Sequence, residues 1–279
     1  MDFISAEFLT LFLILSSLAA IAGFLAGLLG IGGGLVLVPS LYFIFSSFGY
    51  AGEHLMHVAV GTSLATIMAT GVSSARSHYK RGAVDVELIK KIGPGLILGV
   101  ILGSLVASMV NSFWLKCFFV PALFVLATLM LINPKTSAVN KSLPSTFLTT
   151  PISAVIGLVS SLMGIGGAAL NVPFMTLCHV PMHKAIGTAA AMGILVAITG
   201  TLGFLLIGLG GSADLLPPYT YGYINILALM VIMPITILMA PIGVAVAHKF
   251  SITRLKRIFS IFLFFLGFRM AWEMLSTVF

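Results

Sequence analysis

The chain has 279 residues, of which 59% are hydrophobic and only 8% charged, with a mean hydropathy of +1.18. A soluble domain carries about a quarter charged residues, so a soluble globular protein is excluded. The formal net charge of +7 comes from basic residues in short stretches between apolar runs, where they orient a membrane protein and make no surface for nucleic acid.

Apolar runs long enough to cross the roughly 30 Å hydrocarbon layer recur along the whole sequence. They are continuous and lack a period of two, so the chain reads as all-α rather than as a barrel. The first run, 8–29, follows Asp2 and Glu7 and has no basic stretch before it, so it reads as a retained helix, not a cleaved signal. It ends in Gly27-Leu-Leu-Gly-Ile-Gly-Gly-Gly-Leu-Val-Leu-Val-Pro39, which breaks one helix and starts the next, 34–49. That second segment would be only about 24 Å long, so it either crosses or turns back. Segments 56–75, 86–110 and 114–132 complete a first half.

The stretch from Asn133 to Pro144 is polar and contains Pro134, Lys135, Asn140 and Lys141, as a linker would. Beyond it lie segments 146–163, 168–179, 184–209, 220–247 and 255–277. The second half repeats the landmarks of the first in the same order. Ser161-Leu-Met-Gly-Ile-Gly-Gly-Ala-Ala-Leu-Asn-Val-Pro173 matches the first glycine motif, and His183-Lys-Ala-Ile-Gly-Thr188 matches His57-Val-Ala-Val-Gly-Thr62. Pro94 and Gly103 pair with Pro234 and Gly243, and Leu115-Lys116 with Leu255-Lys256. We divide the chain into membrane repeats 1–136 and 137–279, with about 8–10 transmembrane helices in all.

Lysine and arginine give the orientation. Arg76, Lys80, Arg81, Lys90 and Lys91 flank the third turn of the first half, and Lys249, Arg254, Lys256 and Arg257 flank the fourth turn of the second. The turn holding Asp214 and the one around Glu53 have no basic residue. The asymmetry therefore inverts between halves, which predicts two repeats of opposite orientation with both termini outside.

Paired broken helices in two halves of a membrane chain point to a transporter's substrate site. A helix that restarts after glycine offers bare N–H groups and a positive end to an anion. This assigns substrate binding to Gly30, Gly32, Gly33 and Gly34 in the first half and to Gly164, Gly166 and Gly167 in the second. Asn171 would add an amide, and Thr62, Ser63 and Thr188 hydroxyls; a hydroxyl in such a helix also commonly bonds its own backbone. Isolated glycines such as Gly99 and Gly103 read instead as close helix packing. His57 and His183 occupy equivalent places and could carry a coupled proton, although an interfacial residue at a helix start is the plainer reading of both. Arg269 lies in the last apolar segment with Glu273 one turn on, and the two read as an internal ion pair.

No catalytic constellation, metal-ligand spacing or phosphate loop is present, and no cofactor is implied. Cys117 and Cys178 read as unpaired packing residues.

At the two Gly-Ile-Gly-Gly motifs with their prolines, the following Gly61-Thr62 and Gly187-Thr188, and the two-half layout, the chain resembles the sulfite exporter TauE/SafE family of membrane permeases. The likeness covers essentially the whole chain. It implies an inner-membrane permease for sulfur-containing anions such as sulfite, thiosulfate or sulfonates. The second motif departs from the first at Ala168 for Gly34 and Asn171 for Leu37. Another ion or solute, a channel mechanism, or an assembly partner remain the rival readings.

Overall fold

In lipid every backbone amide needs an internal partner, and helices provide one for each residue beyond their first turn. The computed structural model of the chain describes residues 6–30, 32–132, 144–210, 216–247, 249 and 252–278. Most of the linker (133–143) and Asp214 lie outside the described residues. The chain forms α1 (Ala6–Leu29), α2 (Gly34–Ser47), α3 (Leu55–Tyr79), α4 (Val86–Ser108), α5 (Ser112–Ile132), α6 (Thr146–Leu162), α7 (Ala168–Leu177), α8 (Met182–Leu209), α9 (Ile226–Ala247) and α10 (Ile252–Val278), with a small hairpin of β1 (Thr220–Tyr221) and β2 (Ile224–Asn225) before α9. Seven of these helices are long and apolar enough to cross a membrane. The shorter three are α2, α6 and α7, of 14, 17 and 10 residues. At 1.5 Å per residue, α2 and α7 extend only about 21 and 15 Å, so each reaches part-way through a bilayer.

Most segment ends shift by one to six residues from the sequence reading, α3 running on to Tyr79, and three of the shifts have a clear local reason. The ninth segment starts at Ile226 rather than 220, because Gly222 (φ 59°) turns the hairpin and the Asn225 carboxamide oxygen accepts from the Ala228 N–H at 2.9 Å, capping α9. α2 stops before Gly49 (φ 82°), and α7 stops before His179, which takes φ 62°.

The packing is consistent with pseudo-symmetric repeats. α1 lies along α9 and α4 along α6; exchanging the halves turns one pair into the other. The pairs α3–α8 and α5–α10 map onto themselves. Small residues set these contacts, as expected where helices gain little from water exclusion. A Cβ at Gly23 would lie 2.6 Å from the Thr236 Cα, and one at Gly27 would overlap the Ala240 carbonyl. Gly99 and Gly103 fit in the same way against Ala154 and Leu158. In both pairs residue numbers rise together, so the paired helices run parallel. One buried apolar cluster draws on both halves, with α1, α2, α3, α5 and α8 all contributing.

Cys117 and Cys178 are free and half-buried. Glu273 accepts a 2.6 Å hydrogen bond from the Tyr42 hydroxyl and lies 3.8 Å from the Lys116 ammonium, while the Arg269 guanidinium lies 4.3 Å from the centroid of the Phe43 ring. The i,i+4 reading of Arg269 and Glu273 overlooked both of these long-range partners.

Candidate functional site

Each glycine motif ends one long helix and begins a short one. Gly30, Gly32 and Gly33 have φ of 70°, 72° and 80°; Gly164 and Gly167 have 62° and 75°. L-residues with a side chain rarely hold such angles, which is why the motif is glycine. Gly33 and Gly167 are the left-handed N-caps of α2 and α7, and neither helix start carries a side-chain cap. Their first-turn N–H groups are the ones an α-helix cannot satisfy internally.

The two bends meet. A Cβ on Gly34 would overlap the carbonyl oxygen of Gly164 and stand 2.9 Å from the Cα of Ile165. The side chain of Ile67, midway along α3, lies between them. Its Cγ2 is 3.0 Å from a Cβ built on Gly32 and 3.2 Å from one built on Gly166. Ser63, also on α3, donates to the Gly164 carbonyl at 2.8 Å and so fixes the second bend from the first half. The bends are buried except at Gly32, which is partly exposed.

Asn171 stands at the fourth position of α7, and helical side chains there lean back over the helix start. Its Nδ2 lies 3.1 Å from a Cβ built on Gly167, with the Ser160 Oγ 3.4 Å from the same point. Asn171 is fully buried, yet among the described residues neither its Nδ2 nor its Oδ1 has a hydrogen-bond partner. Buried polar groups are nearly always paired, so Asn171 stands out among the buried side chains of the bend.

Thr62 and Thr188 are spent on architecture. The Thr62 Oγ1 accepts from the Asn225 N–H at 2.8 Å, and the Thr188 Oγ1 accepts from the Asp85 N–H at 2.9 Å. Asn225 and Asp85 both cap the helix that follows, Asp85 accepting from Glu87 and Leu88. The neighbouring Gly61 and Gly187 leave room for the Tyr223 and Ala83 carbonyls. Each Gly-Thr pair thus docks its helix on the other half. The Gly-Thr repeat was visible in the sequence; its partners, far off in the chain, were not.

The equivalent histidines occupy unlike places. His57 is fully buried, its Nε2–H donating to the Ala107 carbonyl at 2.9 Å, with Tyr223 and Phe204 around the ring. His183 is exposed at the start of α8.

The family model described as "Sulfite exporter TauE/SafE" matches residues 15–270. The chain belongs to the sulfite exporter TauE/SafE family. It is 34% identical over 267 residues to a "Probable membrane transporter protein" of Haemophilus influenzae, covering 94% of this chain and 98% of that one. It is 28% identical over 283 residues to "Probable membrane transporter protein YunE" of Bacillus subtilis, covering 94% and 98%. A further "Probable membrane transporter protein", from Methanocaldococcus jannaschii, is 29% identical over 266 residues, covering 94% and 96%. No solved structure matches the chain. As a TauE/SafE member it is a multi-pass membrane transporter, not an enzyme. No group of three or more potential metal ligands occurs among the described residues.

Proposed function

We propose that the chain is a secondary transporter for a small, sulfur-containing anion, bound between the starts of α2 and α7 in mid-bilayer. The observation that carries this reading is the contact of the two glycine bends, Gly34 against Gly164, each bend leading into an uncapped helix start and the second holding a buried amide without a partner among the described residues. Gly30, Gly32, Gly33, Gly34, Gly164, Gly166 and Gly167 let the ligand reach main-chain N–H groups. Asn171 adds a side-chain donor. Ser63, Thr62 and Thr188 hold the bends and the helices that frame them.

Magnitudes favour hydrogen bonds over dipoles as the source of affinity. One helix end contributes about 0.3–2 kcal/mol, far below the cost of dehydrating an anion. Each direct hydrogen bond to a charged group adds about 1.5–3 kcal/mol. Several donors together leave weak, reversible binding, which lets a carrier release its cargo.

Repeats 1–136 and 137–279 have opposite orientations in this reading. Its support is the parallel packing of α1 on α9 and of α4 on α6. α9 starts at the α3 N-terminus, through Asn225 and Thr62, whereas α4 starts at the α8 N-terminus, through Asp85 and Thr188. α1 and α6 therefore point opposite ways. Exposed Arg76, Lys80, Arg81, Lys90, Lys184, Lys249 and Arg257 then share one side, which the positive-inside rule makes cytoplasmic. Both termini face out from the inner membrane. His57, buried and with Nδ1 unpartnered, is the better placed of the two histidines to carry a coupled proton.

Counterflow in proteoliposomes tests the transport reading. Saturable uptake of sulfite, thiosulfate or a sulfonate, accelerated by the same ion inside, is the expected result, and it is lost in Gly32→Leu while insertion persists. A response to cations alone overturns it.

A further inference from the structure

The second bend holds more hydrogen-bond acceptors than a bare anion can use. The Ser160 hydroxyl commits its proton to the Ile156 carbonyl at 2.6 Å, so only its lone pairs remain for a ligand. The Ser63 proton is likewise committed, to the Gly164 carbonyl. Asn171 presents an unpaired Oδ1 as well as an unpaired Nδ2. Ser160 Oγ and Asn171 Nδ2 both close on the position beside Gly167 that a Cβ would fill. The site thus combines donors, from Nδ2 and the first amides of α7, with acceptors, from Oδ1 and Ser160.

A fully deprotonated oxyanion is acceptor-only. It would pair with the donors and leave Oδ1 buried without a partner, a loss of about tenfold in affinity. A cation would satisfy the acceptors but face the positive start of α7. An oxyanion that keeps one O–H satisfies both sets: its charged oxygens accept from the amides while its hydroxyl donates to Oδ1 or Ser160. The first bend has no such acceptor at the equivalent place, where Leu37 stands.

We infer that the second bend, through Asn171 and Ser160, selects a singly protonated oxyanion over anions of the same charge that lack an O–H. The inference rests on the proposed site. It narrows the sulfur anions to the hydrogen-sulfite type and disfavours thiosulfate and alkyl sulfonates, which carry no such proton. Sites built to pair with a ligand hydroxyl discriminate strongly against analogues without it.

Two methyl-bearing tetrahedral monoanions isolate the one O–H. Methanesulfonate has none. Methylphosphonate has one, at a pH where it is the monoanion. Competition of each against labelled sulfite uptake by the full-length protein in proteoliposomes gives the comparison. In the wild type, methylphosphonate should compete at least about tenfold better. Asn171→Leu and Asn171→Ala, the smaller change should leucine disturb folding, each combined with Ser160→Ala so that neither acceptor remains, should both bring the two probes within about threefold of each other. Sulfite uptake without that preference, or a preference that survives both variants, overturns the inference and leaves the transport reading standing. Absence of saturable uptake for every anion removes the transport reading itself.

Discussion

The two glycine bends share a backbone plan and differ in what surrounds it. In the first, three glycines take left-handed angles and the short helix continues with Leu37, so only main chain is offered. In the second, Gly166 is not among the residues with positive φ, and Asn171 adds a polar group to the same geometry. The outer fastening differs too. Tyr42, two turns into α2, accepts from Lys116 at 2.8 Å and donates to Glu273. Thr176, its counterpart on α7, bonds back to Pro173 in its own helix. The paired motifs thus share the backbone that makes helix starts and differ in the side chains around it.

The strongest way to break this comparison is to fill the contact between the bends. Gly34→Leu places a side chain where the Gly164 carbonyl stands. Overpacking of this kind costs about 1–3 kcal/mol or more. Uptake should fall more than tenfold, while size-exclusion profiles show inserted protein; retained uptake separates the bends. Next comes the outer fastening. Tyr42→Phe removes the hydroxyl that joins Lys116 to Glu273 and should lower thermal stability in detergent by about 1–2 kcal/mol, whereas Thr176→Val should change it by less than about 0.5 kcal/mol. Equal effects would mean that α2 is no better fastened than α7.

The two threonines give a comparison of similar size. Thr62→Val strands the Asn225 N–H in the core, at about 1–3 kcal/mol. Thr188→Val leaves the Asp85 N–H near solvent, where water takes over the bond, and should cost under about 1 kcal/mol. Denaturant midpoints give the ordering, and reversal refutes it. The smallest effect belongs to Gly166→Ala, whose added methyl would stand 3.2 Å from the Ile67 Cγ2 and 3.5 Å from the Gly193 Cα, a contact that a few tenths of an ångström relieve. Gly32→Ala, at φ 72°, should cost about 1 kcal/mol more. A larger loss at Gly166 in the same unfolding measurement would show that the second bend is the more constrained.

The ten helices were legible because apolar length and glycine-proline punctuation are local signals. The same holds for the paired bends, since left-handed angles demand glycine wherever they occur. The start of α9 was missed because Thr220 to Asn225 is apolar enough to extend a helix, and only the cap at Asn225 stops it. The partners of Thr62, Thr188 and Glu273 lie 163, 103 and 231 residues away, and no periodicity reports contacts at that range. Asn171 was visible as a departure from Leu37. That it is buried and unpaired is a property of packing, which spacing does not encode.

The crossed caps have a mechanical consequence. Because Thr62 finishes the start of α9 and Thr188 the start of α4, each half completes a helix belonging to the other. The halves are clasped, so a relative rocking of the two as separable blocks would have to break both joints, each a single hydrogen bond of about 1 kcal/mol. The same clasp means that a severed half, expressed alone, would lack the stitch that ends its own folding.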